Sequence, residues 1–171
     1  MKTLHQNKGL YIGRFQPFHL GHLSAIKQAL EQVERLYIGI GSSQYHHTEE
    51  NPFTTEEREK MIELTLKEAK IFDKCQIFLI PDIHAEEKWV EHVKKLIPPF
   101  DMVFVGNEGP VKTLFEKAGT KVQSVKQELD ISATEVRKRI KSNQEWQRLV
   151  SPTTAEYLQT VGSMERIKKL G

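Results

Sequence analysis

His19 and His22 stand three residues apart with Gly21 between them and Arg14 upstream, all within the stretch GRFQPFHLGH at residues 13–22. Imidazoles at this spacing share one side of the first turn of a helix. A helix N-terminus carries free N–H groups and roughly half a positive charge. Two imidazoles and a guanidinium at such an end would make a phosphate cradle, and Gly13 would let a ligand approach the main chain closely. Two other readings stand beside this one. Phe15 and Phe18 can be core residues with the histidines as surface or cap residues, or the histidines can bind a metal. The metal reading lacks further Cys, Asp or Glu ligands at zinc-like spacing. A second stretch, ISATEVRKR at residues 131–139, places Ser132 and Thr134 ahead of a helix whose first turn carries Arg137. Ser132 and Glu135 form the pattern of a capping box, which is a structural device. The same arrangement offers hydroxyls, N–H groups and an arginine to an anion.

The elements that must hold these residues alternate along the chain. LYIG (10–13), LYIGIG (36–41), CQIFLI (75–80), DMVFVG (101–106) and KVQSV (121–125) read as strands. Leu23, Ile26, Leu30 and Val33 mark one face of a helix between the first two strands. Thr54 and Glu57 make a capping box for a helix over about 55–70. Further helical patterns cover 87–97, 110–118, 133–142, 153–161 and 163–169, with Gly162 read as a hinge. Strand–helix alternation predicts an α/β fold. It would be a Rossmann-like open parallel sheet of about five strands with helices on both faces, plus C-terminal helices over about 152–171. Open parallel sheets bind ligands beyond the carboxyl ends of their strands. Residues 13–22, 41–48, 81–89 and 106–110 occupy those places.

Composition sets the bounds. The chain has 171 residues, which suits a single domain. A net charge of +2 gives no bulk attraction to nucleic acid or membrane, so any anion site must be local. The polar start, residues 1–8, reads as a tail without a signal-peptide apolar run. No apolar run approaches the ~18 residues of a membrane span. Cys75 is the lone cysteine, which forbids an internal disulfide and fits a cytoplasmic location.

The two chemistry-bearing stretches carry a resemblance. GRFQPFHLGH resembles the H-x-G-H signature of the nucleotidyltransferase superfamily through His19, Gly21 and His22. ISATEVR resembles its partner signature, I-S-x-T-x-x-R, through Ile131, Ser132, Thr134 and Arg137. IGIGSSQ, HTEENPFTTEER and PPFDMVFVGN extend the similarity, over nearly the whole chain, to the archaeal type of nicotinamide-nucleotide adenylyltransferase. The resemblance implies transfer of AMP from ATP to nicotinamide mononucleotide, giving NAD and pyrophosphate, with Mg2+ held mainly by ATP oxygens and with no protein metal ligand named. It implies a homo-oligomer. It places His19, His22, Arg14 and Arg137 on the reacting phosphates. Gly13, Phe15, Gly21, Gly106, Asn107, Ile131, Ser132 and Thr134 would complete the ATP site, and Ser42, Ser43, Asp82, Ile83 and Trp89 the mononucleotide site. Trp89 also fits a plain core position at helical spacing with Val93. Where some family members carry an arginine before the N-P-F element, this chain has Glu50, so Arg58 or Lys60 would have to substitute or the contact is missing. A phosphate nucleophile is already ionised at neutral pH, which agrees with the absence of a nucleophile–base pair. The rival expectations are another acceptor, such as pantetheine phosphate, flavin mononucleotide or an alcohol phosphate, and a non-catalytic nucleotide-binding protein.

Overall fold

The computed structural model describes residues 7–170. Among these, five strands form one all-parallel sheet in the order β3-β2-β1-β4-β5. They are β1 (Lys8–Gly13), β2 (Arg35–Gly41), β3 (Cys75–Ile80), β4 (Met102–Val105) and β5 (Lys121–Ser124). The helices are α1 (Leu20–Leu30), α2 (Thr55–Glu68), α3 (Trp89–Leu96), α4 (Pro110–Lys117), α5 (Ala133–Lys141), α6 (Pro152–Thr160) and α7 (Ser163–Lys169).

Parallel neighbours need crossovers, and right-handed ones fix the side on which each helix lies. From β1 the chain winds outward to β2 and β3 through α1 and α2. It then returns through α3 to lay β4 on the other side of β1, and continues to β5 through α4. The direction of winding therefore reverses between β1 and β4. Connections leaving those two strands diverge and open a crevice at their carboxyl ends.

Strand residues alternate between the two faces, and both faces are buried. Tyr11, Ile38 and Phe104 pack with Ile26 of α1, Met61 of α2, Val136 of α5 and Leu158 of α6. Leu10, Tyr37, Val103 and Val105 pack on the opposite face with Val93 of α3 and Phe115 of α4. This double burial accounts for the near-continuous apolar runs of β2 and β4. The Rossmann-like sheet expected from the sequence is the one that forms.

Local differences have local causes. Lys8 belongs to β1 rather than to the expected tail, its N–H donating to the Asp101 carboxylate at 2.8 Å; residues 1–6 lie outside the described residues. Helix α1 begins before its apolar stripe because His19 caps it. It stops at Leu30, so Val33 packs into the core beyond the helix. Residues 86–88 form a separate turn of 3₁₀ helix ahead of α3. Gly162, expected as a hinge, is the residue before α7 and takes a left-handed φ of 73° that glycine adopts without strain. Among the described residues, no helix is long and apolar enough to cross a membrane.

The C-terminal helices are seated by polar contacts as well as apolar ones. Buried Thr65 of α2 meets the hydroxyls of Ser151 (2.9 Å) and Thr154 (3.0 Å). From α7, Arg166 donates to the Pro52 carbonyl at 3.1 Å and to the Glu57 carboxylate at 2.6 Å. The same Glu57 oxygen accepts from the Thr54 N–H, closing the capping box of α2, while its other oxygen is buried without a partner. Removing the cation would leave a buried carboxylate uncompensated. We expect Arg166→Ala to cost about 3 kcal/mol in urea unfolding, and the double variant Arg166→Met with Glu57→Gln to recover part of it. Equal losses in both variants would contradict this account.

Candidate active site

Residues 13–22 leave β1, turn, and start α1. Gly13 provides the space that Phe15 needs: a Cβ there would lie 2.7 Å from the Phe15 ring. The expected close approach of a ligand is thus joined by a packing reason. Phe15 itself takes a left-handed φ of 55°, uncommon for a bulky residue. His19 is the N-cap of α1. Its Nδ1 accepts from the N–H of Gly21 at 3.0 Å and of His22 at 3.4 Å. His22, at N3, accepts in return from the His19 N–H through its own Nδ1 at 3.1 Å. The two histidines thus make a reciprocal capping box out of imidazoles. Gly21 is required for it, because a Cβ there would lie 2.8 Å from the His19 ring.

This cap determines the protonation pattern of the pair. A ring nitrogen that accepts carries no hydrogen, so each neutral imidazole keeps its hydrogen on Nε2. The rings stack 3.7 Å apart at 22°, with Phe15 edge-on to His22 and Phe18 stacked against it. Burial pushes His19 down to about 4, and burial followed by the neighbouring His19 holds His22 well below the usual histidine range. Both rings are therefore neutral N–H donors at neutral pH, and the cationic side chains lining the site are Arg14, Arg137 and Lys126.

The second helix start faces the first. Ser132 caps α5, accepting from the Glu135 N–H at 3.1 Å. The expected reciprocal half of that box does not form, because the Glu135 carboxylate pairs with Arg139 at 3.0 Å. Arg137 donates to the Gln16 carbonyl at 2.8 Å across 121 residues of sequence, and so ties the α5 start to the loop after β1. A cavity of about 420 Å³ lies between them. It is lined by Gly13, Arg14, Phe15, His19, Gly21, His22, Gly106, Asn107, Ile131, Ser132 and Arg137, and also by the segment 125–129. Thr134 turns away from it toward a neighbouring cavity, where its hydroxyl accepts from Arg137 at 3.4 Å.

A second cavity, of about 510 Å³, lies past β3 and is lined by Asp82, Ile83, Glu86, Trp89, Pro110 and Val111. Trp89 is half-buried, with its ring edge-on to Phe115 at 5.7 Å. It is at once a packing residue and a wall of this cavity. Ser42 donates to the Asp82 carboxylate at 2.7 Å and so stands beside the cavity without lining it. Ser43 is buried and lines neither cavity; its carbonyl accepts from Thr55 at 2.7 Å. The segment 106–110 runs from the first cavity to the second.

Neither candidate substitute for the arginine missing at Glu50 is available. Arg58 is fully buried and bonded to main-chain carbonyls, and Lys60 is exposed beside Glu63 at 3.8 Å. Glu50 lines the neighbouring cavity together with Arg14, Arg137, Lys138 and Lys141. Apart from Arg14, the cations on that side come from α5, and Lys141 pairs with Glu49 of the loop at 3.3 Å. Sequence reasoning also missed Gln16. Its buried side chain pairs with both main-chain groups of Phe53, donating at 3.2 Å and accepting at 2.9 Å. An amide set between aromatics and proline in FQPF is the signal that was there to read.

Donor chemistry on the first cavity suits phosphate oxygens. Glu128 is the one carboxylate among the described lining residues, and it accepts from Ser24 at 3.1 Å. Among the described residues, no three His, Cys, Asp or Glu side chains gather as a metal cage. The residues present thus fit a cation that arrives on phosphate oxygens and water, as Mg2+ commonly does.

The depressed imidazoles have a consequence for stability. An unfolded histidine takes up its proton near pH 6.5, whereas folded His19 resists until about 4. Below pH 6.5 the unfolded chain therefore binds more protons, and stability falls with pH through that window. His19→Asn keeps a capping acceptor and removes this titration. Between pH 7 and pH 4 we expect the wild type to lose about 3 kcal/mol more than His19→Asn in urea melts. Equal losses would contradict the neutral cap.

The chain matches the family described as cytidylyltransferase-like over residues 10–139. A nicotinamide-nucleotide adenylyltransferase of Thermococcus sibiricus is 43% identical over 167 residues, covering 95% of this chain and 89% of that protein. A bifunctional NMN adenylyltransferase/ADP ribose pyrophosphatase from Francisella tularensis superposes with a TM-score of 0.81 at 27% identity. A second crystal structure of such a bifunctional enzyme from Francisella tularensis, complexed with AMP and Mn ion, gives a TM-score of 0.75 at 26% identity. They cover 96% and 95% of this chain, which spans about half their length, 52% of each. On this similarity of sequence and fold, the chain belongs to the cytidylyltransferase-like family and, within it, to the nicotinamide-nucleotide adenylyltransferases.

Proposed function

We propose that this chain, acting as one nucleotidyltransferase domain over 1–171, transfers AMP from ATP to nicotinamide mononucleotide and releases NAD and pyrophosphate. The observation that carries the proposal is the 2.8 Å bond from Arg137 to the Gln16 carbonyl, which holds two helix N-termini on one cavity. The likeness to named nicotinamide-nucleotide adenylyltransferases supplies the acceptor.

The mononucleotide phosphate is an anion at neutral pH and attacks the α-phosphorus of ATP in line. The α-phosphorus–oxygen bond to the pyrophosphate breaks, so no proton need be removed from the nucleophile. What the protein must supply is alignment and relief of the charge that grows on the leaving pyrophosphate. In this reading the Nε2–H groups of His19 and His22 and the N–H groups at the α5 start donate to phosphate oxygens. Arg14 and Arg137 balance their charge. Gly106 and Asn107 take the nucleoside end of ATP. The mononucleotide lies toward Ser42, Ser43, Asp82 and Ile83, with its cationic pyridinium on the face of Trp89. A divalent metal, Mg2+ in this proposal, rides on the phosphates and neutralises part of their charge.

Two further parts rest on surface and composition. A homo-oligomer would have an open edge available at β3, whose Leu79 is 41% exposed. A cytoplasmic location fits the lone, buried Cys75.

Pyrophosphate release measured with each acceptor in turn tests the function. Release should require ATP and nicotinamide mononucleotide. Release only with pantetheine phosphate, flavin mononucleotide or an alcohol phosphate would overturn the acceptor, and ATP binding without product would overturn catalysis. His22→Ala should lower turnover roughly 100- to 1000-fold, the scale of one lost preorganised donor. Its lost cap bond should cost only about 1 kcal/mol. Wild-type turnover in this variant would contradict the role of His22.

A further inference from the structure

Among the described residues Arg58 is the largest fully buried side chain, and each of its side-chain hydrogen bonds ends on a main-chain carbonyl. Its Nη1 donates to Arg14 and Gly41, each at 3.1 Å. Its Nη2 donates to Ser42, Ser43 and Tyr45 at 3.2–3.4 Å. Its Nε donates to Thr54 at 3.3 Å, one turn back in α2. Burial, with Arg14 nearby, lowers this guanidinium to about 10, so it stays charged at neutral pH. A buried cation is expensive unless its hydrogen bonds are complete. Here carbonyl dipoles converging from three segments provide that completion.

The segments it joins are the informative part. Arg14 belongs to the loop that enters the first cavity, while Ser42 and Ser43 belong to the loop beside the second. Each loop also contains a non-glycine residue in the left-handed region, Phe15 at φ 55° and Ser42 at φ 48°. Such residues persist only where their surroundings over-determine them. The carbonyl just before Phe15 and the carbonyls on both sides of the Ser42 amide–carbonyl unit, those of Gly41 and Ser42, are the ones Arg58 holds. A lysine cannot repeat this, because its single ammonium has three donors and no planar fork.

We infer that Arg58 is a positioning residue that sets the ATP loop and the mononucleotide loop in register through one shared guanidinium, without touching either nucleotide. The inference rests on the functional reading above. It distinguishes Arg58 from a residue serving one substrate: its loss disturbs both half-sites together.

Arg58→Lys tests this at a temperature well below its melting transition. The KM for ATP and the KM for nicotinamide mononucleotide should each rise at least fivefold, and kcat should fall at least tenfold. Wild-type enzyme is the control for the underlying reading. If it releases no pyrophosphate with these substrates, that reading fails and not this inference. A folded Arg58→Lys enzyme with either KM within twofold of wild type overturns the inference. Should the variant lose its cooperative melt, native-state hydrogen exchange on the wild type decides. Peptides covering 10–16 and 40–46 should open as one unit with one dependence on denaturant. Separate opening of the two loops would overturn the inference.

Discussion

At the carboxyl edge of a parallel sheet the chain must turn away from the ladder, and the carbonyls freed there still need donors. In this protein two guanidiniums meet that need. Arg58 takes the carbonyls after β1 and β2 from within the core, and Arg137 takes that of Gln16 from α5. Each arginine thereby fixes a loop where it leaves the sheet, and the starts of α1 and α5 come to line one cavity. In the proposed function this cavity would cradle an anion, because helix starts present free N–H donors.

The imidazoles extend the same logic. Each spends its Nδ1 lone pair on the cap of α1, which fixes the ring and leaves Nε2–H as its free end. A neutral donor gives direction without adding to the charge that the fold must tolerate beside stacked aromatics. In the proposed reaction, charge balance would fall to Arg14 and Arg137, with Lys126 on the same cavity. Orientation and neutralisation would then fall to different residues, the imidazoles being held by main-chain N–H groups and Arg137 by the Gln16 carbonyl.

Much of this was legible because it is local. The Thr54–Glu57 box, β3 over 75–80 and α7 over 163–169 came directly from spacing and apolar pattern, and the structure agrees. The histidine pair could be read onto one helical turn for the same reason. What the sequence hid depends on contacts between distant segments. Arg58 reads from the sequence as a candidate substitute for the missing arginine near Glu50, until the loops after β1 and β2 close over it. Gln16 pairs with Phe53 across 37 residues, and Glu135 chose Arg139 over the cap that its spacing suggested. The segment 125–129 lacks any chemical signature, yet it walls the first cavity because β5 ends beside β4. Local periodicity fixes elements, whereas the partners of a buried polar group are decided by topology.

The central claim is that two distant helix starts grip one phosphate chain, with the nicotinamide end reaching the Trp89 cavity. A crystal of the protein soaked with NAD tests it most directly. The account expects the adenylate phosphate within hydrogen-bond distance of His22 Nε2 and the α5 start, with the nicotinamide ring against Trp89. NAD bound elsewhere, or a phosphate that leaves both imidazoles unpartnered, would contradict it.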